Sequence, residues 1–159
     1  MMPHSKWKSY LFWVLLSEIT GLLSGLLIKD SAQIFNKTIA QPPLSPPALL
    51  FPVVWTVLYA LMGISAARVS LRPASAARSK GLLLFLIQLI VNFFWSPIFF
   101  NAQAFGFAFL WLILLWTLVL QMILTLYKTD STTAHLQIPY LLWLTFAAYL
   151  SAGVWYLNR

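Results

Sequence analysis

Long apolar runs, each bounded by charged residues, follow one another along the whole chain. The boundaries enclose four stretches with almost no internal charge: Lys8 to Lys29, Lys37 to Arg68, Lys80 to Lys128 and Asp130 to Arg159. A side-chain charge at bilayer depth costs at least about 2.5 kcal/mol, so such charges mark the ends of membrane spans. Because one span needs about 20 residues, the longest stretch holds two spans, and the chain is predicted to cross a membrane five times.

This pattern predicts an all-α fold, an integral membrane bundle of five transmembrane helices that forms one domain over residues 1–159. The expected helices cover approximately residues 8–29, 47–69, 80–101, 104–127 and 134–157, with one sizeable loop at 30–46. The first span is interpreted as retained. Polar Ser17, Glu18 and Thr20 interrupt its apolar region, and no clear small-residue cleavage site follows, as a signal peptide would require.

Composition agrees with a membrane protein. Hydrophobic residues make up 61% of the chain and charged residues 8%, against about 25% charged in ordinary soluble domains. The net charge of +7 would suggest nucleic acid in a soluble protein, but here seven basic residues fall on one side of the predicted membrane and three on the other. The positive-inside tendency then predicts a cytoplasmic N-terminus. We expect a multi-pass protein of a bacterial cell membrane, in contact with lipid and without nucleic acid.

The inventory of catalytic and metal-binding residues is nearly empty. The chain has no cysteine, two histidines and three acidic residues. No Ser-His-Asp arrangement, paired carboxylates or metal cluster falls within one membrane layer. We therefore predict no metal site and no required cofactor.

A polar stripe runs along the third predicted helix. Gln88, Asn92, Trp95, Ser96 and Phe99 lie on one face by helical spacing. Amides at membrane depth need partners, so this face is predicted to point into the bundle or into a cavity, with Pro97 tolerated near the helix end. The alternative is that Gln88 and Asn92 only cross-link helices.

Aromatic stripes with helical spacing also run along two further predicted helices. They consist of Pro52, Trp55, Tyr59, Met62 and Ala66 on the second helix and of Pro139, Tyr140, Trp143, Phe146, Ala147 and Leu150 on the fifth. Interfacial belts also place Trp and Tyr at such depths. Three matching stripes favour instead a shared aromatic pocket, suited to a flat, mostly apolar ligand with one or two polar handles.

Three segments that carry these stripes resemble a known family. FPVVWTVLYALMG (51–63), QLIVNFFWSPIFF (88–100) and PYLLWLTFAAYL (139–150) are similar to signatures of the translocator protein family, also called TspO, tryptophan-rich sensory protein or peripheral benzodiazepine receptor. The resemblance covers essentially the whole chain, including the Pro-rich loop before the second helix and the closing WYLN.

The resemblance implies a five-helix bundle, usually a homodimer, that binds protoporphyrin IX or other haem-pathway tetrapyrroles, synthetic ligands and, in animal members, cholesterol. Trp55 and Trp143 match tryptophans linked with light-dependent porphyrin breakdown and are the candidate catalytic residues. Together with the stripe, the resemblance gives these candidate ligand-binding residues: Trp55, Tyr59, Gln88, Asn92, Trp95, Phe99, Phe107, Trp143, Phe146 and Ala147.

Several positions depart from the family pattern. The usual W-x-P-P before the second helix is LSPP here, Phe35 is nearest to the loop's usual W-Y, Phe107 replaces a Trp common in animal members, and Ser151 replaces an Asn. The closing VWYLNR fits a loose cholesterol pattern only out of register, so sterol binding is not expected. Glu18 is either hydrogen-bonded within the bundle or involved in ligand access, and is not assigned to the site.

Three hypotheses about function follow. The first is a tetrapyrrole-binding sensor or transporter, with aromatic walls for stacking and Asn92 or Gln88 as a polar handle. The second is an enzyme that degrades porphyrin under light, with Trp55 or Trp143 supplying an electron or trapping a radical. The third is a membrane scaffold, lipid- or sterol-binding at most, whose polar stripes only hold helices together. We favour the first.

Overall fold

The computed structural model describes residues 3–159, with side chains from Lys6 onward. Its helices are α1 (Pro3–Thr38), α2 (Leu50–Ser70), α3 (Ala76–Ser96), α4 (Phe105–Leu126), α5 (Ser131–Leu136) and α6 (Ile138–Leu157), with a π-helical segment at Pro97–Asn101. Five helical segments in this part of the chain are long and apolar enough to cross a membrane, α3 continuing into the π-helical segment and α5 with α6 forming the last. The predicted all-α bundle of five spans is confirmed. Spans are helical because lipid offers no hydrogen-bond partners to backbone groups, which must therefore bond within the helix.

The first helix is the largest correction to the predicted boundaries. It extends to Thr38, well past the predicted end at residue 29, and takes in much of the predicted loop at 30–46. No Gly or Pro interrupts residues 29–38, and Phe35 fixes this end to the bundle with ring centroids 5.2 Å from Phe99 and 5.1 Å from Phe100. A charge such as Lys29 marks a membrane boundary and does not by itself end a helix.

The third span begins earlier than predicted and changes character at Pro97. Ser75 caps α3 by accepting the Arg78 N–H at 3.0 Å. Pro97 has no N–H for the Phe93 carbonyl, and the Ser24 hydroxyl of α1 donates to that carbonyl at 3.1 Å instead. The chain then makes one π turn, in which the Ala102 N–H donates to the Pro97 carbonyl at 3.0 Å. The α-helix therefore ends at Ser96, although helical structure continues to the predicted end at residue 101.

The last span consists of two helices rather than the single helix predicted at 134–157. Asp130 caps α5 by accepting the Thr132 N–H at 3.2 Å, and α5 ends just before Pro139 opens α6. The Asp130 carboxylate also lies 3.0 Å from the Arg68 guanidinium and 3.2 Å from that of Arg72. This ion cluster joins the end of α2 to the start of the last span. The remaining helices, predicted at 47–69 and 104–127, agree with α2 and α4 to within one turn.

Close helix contact depends on two glycines. A Cβ on Gly63 of α2 would lie 2.4 Å from the Val14 Cα, so α1 and α2 cross backbone to backbone at this point. A Cβ on Gly21 would lie 2.3 Å from the Tyr59 ring. The hydrophobic core lies between these two helices and α3, α4 and α6. Its fully buried apolar residues include Met62 and Leu115. The bundle also contains a cavity, which α1 lines with residues from Leu15 to Asn36.

Candidate ligand-binding site: an aromatic cavity

A cavity of about 840 Å³ lies within the bundle, inside the range of roughly 300–1,000 Å³ that is usual for small-molecule sites. Its walls come from α1, α2, α3, the π-helical segment, α4, α6 and the loop between α1 and α2. The aromatic side chains that line it are Phe35, Phe51, Trp55, Tyr59, Trp95, Phe99, Phe100 and Trp143. Such walls suit a flat apolar molecule.

Seven of the ten predicted ligand-binding residues line this cavity. They come from four separate segments of the chain: Trp55, Tyr59, Asn92, Trp95, Phe99, Trp143 and Ala147. Both candidate catalytic tryptophans are among them. Helical spacing predicted that these side chains lie on inward faces of three helices. In the structure they line one cavity.

The other three predicted residues lie elsewhere. Gln88 is fully buried beside the cavity without lining it. Phe146 contacts the Trp143 ring with centroids 5.7 Å apart but does not line the cavity either. Phe107 is 55% exposed on the outside of α4. The buried face of α4 contains Ala108 and every third or fourth residue after it, and Phe107, one residue earlier, is rotated about 100° away from that face.

The buried amides form a continuous hydrogen-bond network with Tyr59 and Tyr140. The Tyr59 hydroxyl donates to Asn92 Oδ1, Asn92 Nδ2 donates to the Tyr140 hydroxyl oxygen at 2.7 Å, and the Tyr140 hydroxyl donates to Gln88 Oε1 at 2.8 Å. Gln88 Nε2 has a weak acceptor in the Met62 sulfur at 3.9 Å. The network joins α2, α3 and α6. It matches the interpretation of these amides as cross-links and leaves them little capacity as ligand handles.

Tyr140 is the centre of that network, and the sequence reasoning did not assign it to the site. Its side chain is 1% exposed and touches both Asn92 and Gln88 through one hydroxyl. The sequence does contain a signal for Tyr140, because this residue lies one turn before Trp143 on the same aromatic stripe. A buried Tyr in a membrane span needs a hydrogen-bond partner, and the amide stripe of α3 was the nearest supply of partners.

Ring geometry fixes the cavity walls. Trp55 lies 5.5 Å from Tyr59 and meets Tyr140 edge to face at 6.1 Å. On the other side, Phe51 of α2 meets Trp143 of α6 edge to face at 5.8 Å. Edge-to-face contacts of this kind contribute about 0.5–1.5 kcal/mol each beyond burial. Packed neighbours therefore hold both tryptophans in place before any ligand binds.

Three residues that line the cavity each carry one buried polar atom without a hydrogen-bond partner among the described residues. These atoms are one carboxylate oxygen of Glu18, the indole N–H of Trp143 and the hydroxyl of Ser151. A buried donor or acceptor without a partner costs about 1–3 kcal/mol. The three atoms expose almost no surface to the cavity, so a ligand reaches them only when their side chains turn toward it.

The loop from residue 39 to 49 covers one end of the cavity. Asn158, at the end of α6, accepts the Ala40 N–H at 3.1 Å and donates to the Ala40 carbonyl at 2.8 Å. Tyr149 donates to the Pro43 carbonyl at 2.6 Å, and Pro42 packs directly against Gly153. The loop thus reaches the cavity without the tryptophan of the W-x-P-P pattern, and α6 holds it there.

Among the side chains described, no group of three or more His, Asp or Glu residues could hold a metal ion. The residues that line the cavity supply aromatic surface, hydrogen-bonding groups, one carboxylate and one ammonium group. Fold and cavity together define a class of protein: an integral membrane helical bundle with an internal aromatic cavity.

Comparison with known proteins identifies the family. The model of the TspO/MBR family matches residues 13–157, and the chain belongs to that family. Protein CrtK of Rhodobacter capsulatus is 38% identical over 122 residues, which is 76% of each chain. Tryptophan-rich protein TspO of Chlorobaculum tepidum is 34% identical over 139 residues, 87% of this chain and 88% of the relative. The translocator protein of Ovis aries is 28% identical over 155 residues, 96% and 92% of the two chains.

Proposed function

We propose that this protein binds a porphyrin or a related tetrapyrrole in the aromatic cavity, and that it acts as a sensor or transporter of haem-pathway intermediates. The observation that carries the proposal is that Trp55, Trp95 and Trp143, from three different helices, line one cavity. A flat macrocycle fills such a space with stacking contacts.

The proposal includes the setting in which binding occurs. The protein is an integral membrane protein, and we place it in a bacterial cell membrane, as a homodimer, with the N-terminus in the cytoplasm. That orientation puts the loop over the cavity on the outer side. Accessibility labelling of single cysteines introduced at Lys6 and at Lys37 tests it, because only the second is then labelled from outside intact cells.

The test of binding is an absorbance titration of protoporphyrin IX, in the dark, against the protein in nanodiscs. We expect a saturable Soret shift that weakens in a Trp55→Phe, Trp143→Phe double variant of equal helicity. The matched control replaces Trp7 and Trp155, neither of which lines the cavity, by phenylalanine. A shift no larger than that of empty nanodiscs would exclude porphyrin, and an equal loss in both double variants would place the ligand elsewhere.

A second candidate function is light-dependent breakdown of the bound porphyrin. It is favoured by one observation: Trp55 and Trp143 line the same cavity, so either indole lies beside a bound macrocycle. Illumination of the complex in air then yields a new chromatographic product in the wild type. A loss of porphyrin at the same rate in empty nanodiscs would argue against this activity.

A further inference from the structure

The outer surface of the bundle carries a groove that is separate from the cavity. It lies between α1 and α3 and has a volume of about 270 Å³. Its walls include Leu16, Thr20 and Leu23 of α1 and Leu86, Ile90 and Phe94 of α3, none of which lines the cavity. The one hydroxyl among them is already used, because Thr20 donates to the Leu16 carbonyl at 2.7 Å. The groove therefore offers apolar surface to the surrounding membrane.

Contacts between α1 and α3 close the groove at both ends. Trp13 meets Phe85 edge to face, with ring centroids 5.6 Å apart, and the Ser24 hydroxyl donates to the Phe93 carbonyl at 3.1 Å. Eleven residues of α1 separate these contacts, which corresponds to about 16 Å along the helix axis. Both helices start at the same end of the bundle, so the groove follows the direction in which lipid acyl chains lie.

Two cations come together at the end of the bundle where α1 and α3 begin. Arg78 donates from Nε to the Val69 carbonyl at 3.3 Å and from Nη2 to the Ser70 carbonyl at 2.8 Å. The hydroxyls of Ser70 and Ser9 are 2.9 Å apart. Because Lys8 precedes Ser9, these contacts bring Lys8 of α1 close to Arg78 of α3.

Helical spacing connects both cations with the groove below them. Residues four positions apart follow one ridge of a helix. Lys8 shares a ridge with Leu16 and Thr20, and Arg78 shares one with Leu86, Ile90 and Phe94. In each helix the groove begins eight residues, or about 12 Å, beyond the cation. The polar layer of one leaflet is about 5–8 Å thick, so cations at the level of the phosphates place the groove at the depth of the acyl chains.

The charge at this end of the bundle is unbalanced. Its one acidic residue, Asp130, is already paired with two other arginines. Lys8 and Arg78 form no ion pair with any described residue, so an anion beside them meets no opposing carboxylate. Trp7, next to Lys8, is exposed, and tryptophan is enriched where proteins meet the membrane–water interface. This position favours a membrane lipid over a soluble acidic partner.

We propose that the groove and these two cations bind one anionic phospholipid. Its phosphate contacts Lys8 and Arg78, and one of its acyl chains lies between α1 and α3. The bound lipid bridges the two helices on the outside of the bundle. This site is independent of any ligand in the cavity, because the two have no lining residue in common.

The first test varies the charge of the protein and of the lipid. Native mass spectrometry of the full-length protein in detergent follows titrations with palmitoyl-oleoyl phosphatidylglycerol and with the corresponding phosphatidylcholine. We expect one phosphatidylglycerol to bind more tightly than phosphatidylcholine. Lys8→Gln should weaken the phosphatidylglycerol complex about fivefold and leave phosphatidylcholine unchanged. Lys128→Gln, the matched control, removes the same charge at the same end of the bundle and should change neither. Equal effects of the two variants, or equal affinity for the two lipids, would overturn the site.

The second test fills the groove. Ile90 is 60% exposed, and we expect Ile90→Trp to weaken phosphatidylglycerol binding because the larger side chain occupies the place of the acyl chain. Leu114→Trp is the matched control, since Leu114 is exposed on α4 and lines neither the groove nor the cavity. Circular dichroism verifies that all variants have equal helicity.

Three results of the second test would overturn the lipid assignment. Equal lipid binding by Ile90→Trp and Leu114→Trp would show that the groove holds no chain. Displacement of the lipid by an equal concentration of inorganic phosphate would show that the cations alone bind the anion. A dimer in the same spectra that Ile90→Trp removes, without a change in bound lipid, would show that a second copy of the chain covers the groove.

Discussion

Replacing Tyr140 by phenylalanine removes the one hydroxyl that joins α6 to α3. It deletes two hydrogen bonds, the 2.7 Å bond from Asn92 and the 2.8 Å bond to Gln88, and changes no other atom. All three side chains are at most 5% exposed, so water cannot easily replace the lost partner. We expect Tyr140→Phe to lower the free energy of unfolding.

The size of the effect follows from the two amides left behind. Interhelical hydrogen bonds in membranes average about 0.6 kcal/mol each in double-mutant cycles, which gives roughly 1 kcal/mol for two bonds. A buried amide group without a partner adds up to about 1–3 kcal/mol. Asn92 Nδ2 loses its acceptor and Gln88 Oε1 loses its donor, while the bond from Tyr59 to Asn92 Oδ1 remains. The expected total is about 1–4 kcal/mol.

The assay is reversible unfolding in mixed detergent micelles, followed by circular dichroism. Tyr156→Phe is the matched control, because Tyr156 is 66% exposed and forms no side-chain hydrogen bond in the described part of the chain. Adding Gln88→Leu to Tyr140→Phe should restore part of the stability, since it removes the orphaned amide. The reasoning would be refuted if Tyr140→Phe and Tyr156→Phe were equally stable.

The remaining predictions concern the ion cluster, a helix crossing and the loop. Burial alone raises the pKa of the Asp130 carboxyl, but hydrogen bonds from Thr133 and Arg72 and the charge of Arg68 hold that pKa below its ordinary value. A depressed folded-state pKa contributes stability that is complete above about pH 4 and is lost as pH falls through the folded value. The free energy of unfolding, measured from pH 7 to 2, should therefore fall at low pH, and Asp130→Asn should reduce this fall. An equal fall in the wild type and in Asp130→Asn would contradict the prediction. Gly63→Ala should destabilise by more than about 1 kcal/mol, because its Cβ meets the α1 backbone, whereas Gly25→Ala, with nothing within 4 Å, should be neutral or slightly stabilising by thermal unfolding. The opposite ranking would show that α1 and α2 do not cross at Gly63. Asn158→Ala should speed hydrogen exchange at residues 40–45 at least about fivefold, since two bonds to Ala40 are lost, and equal exchange would mean that α6 does not hold the loop.

The spans and the inward stripes could be predicted from the sequence because both depend on local spacing. Charges cannot lie deep in lipid, and amides cannot face it, so Gln88 and Asn92 had to be buried, as they are. The same argument placed Trp55 and Trp143 on inward faces. It needed no knowledge of how the helices are arranged.

What could not be predicted depends on contacts between distant segments. The extension of α1 is fixed by Phe35 against Phe99 and Phe100, and nothing local marks its end. Gln88 was expected at a ligand, but Tyr140 of another helix uses its carbonyl oxygen. Phe107 was assigned by resemblance, and one residue of helical phase turned it outward. One residue corresponds to a rotation of about 100° around the helix axis, and only packing against the other helices shows which face a side chain occupies.

The central claim is that the porphyrin lies inside the bundle, between α2 and α6. The most direct test is the structure of the protein in nanodiscs with protoporphyrin IX, prepared in the dark, at a resolution that defines the macrocycle plane. We predict that the ring lies between Trp55 and Trp143. A macrocycle bound on the lipid-facing surface or between two protomers would contradict it.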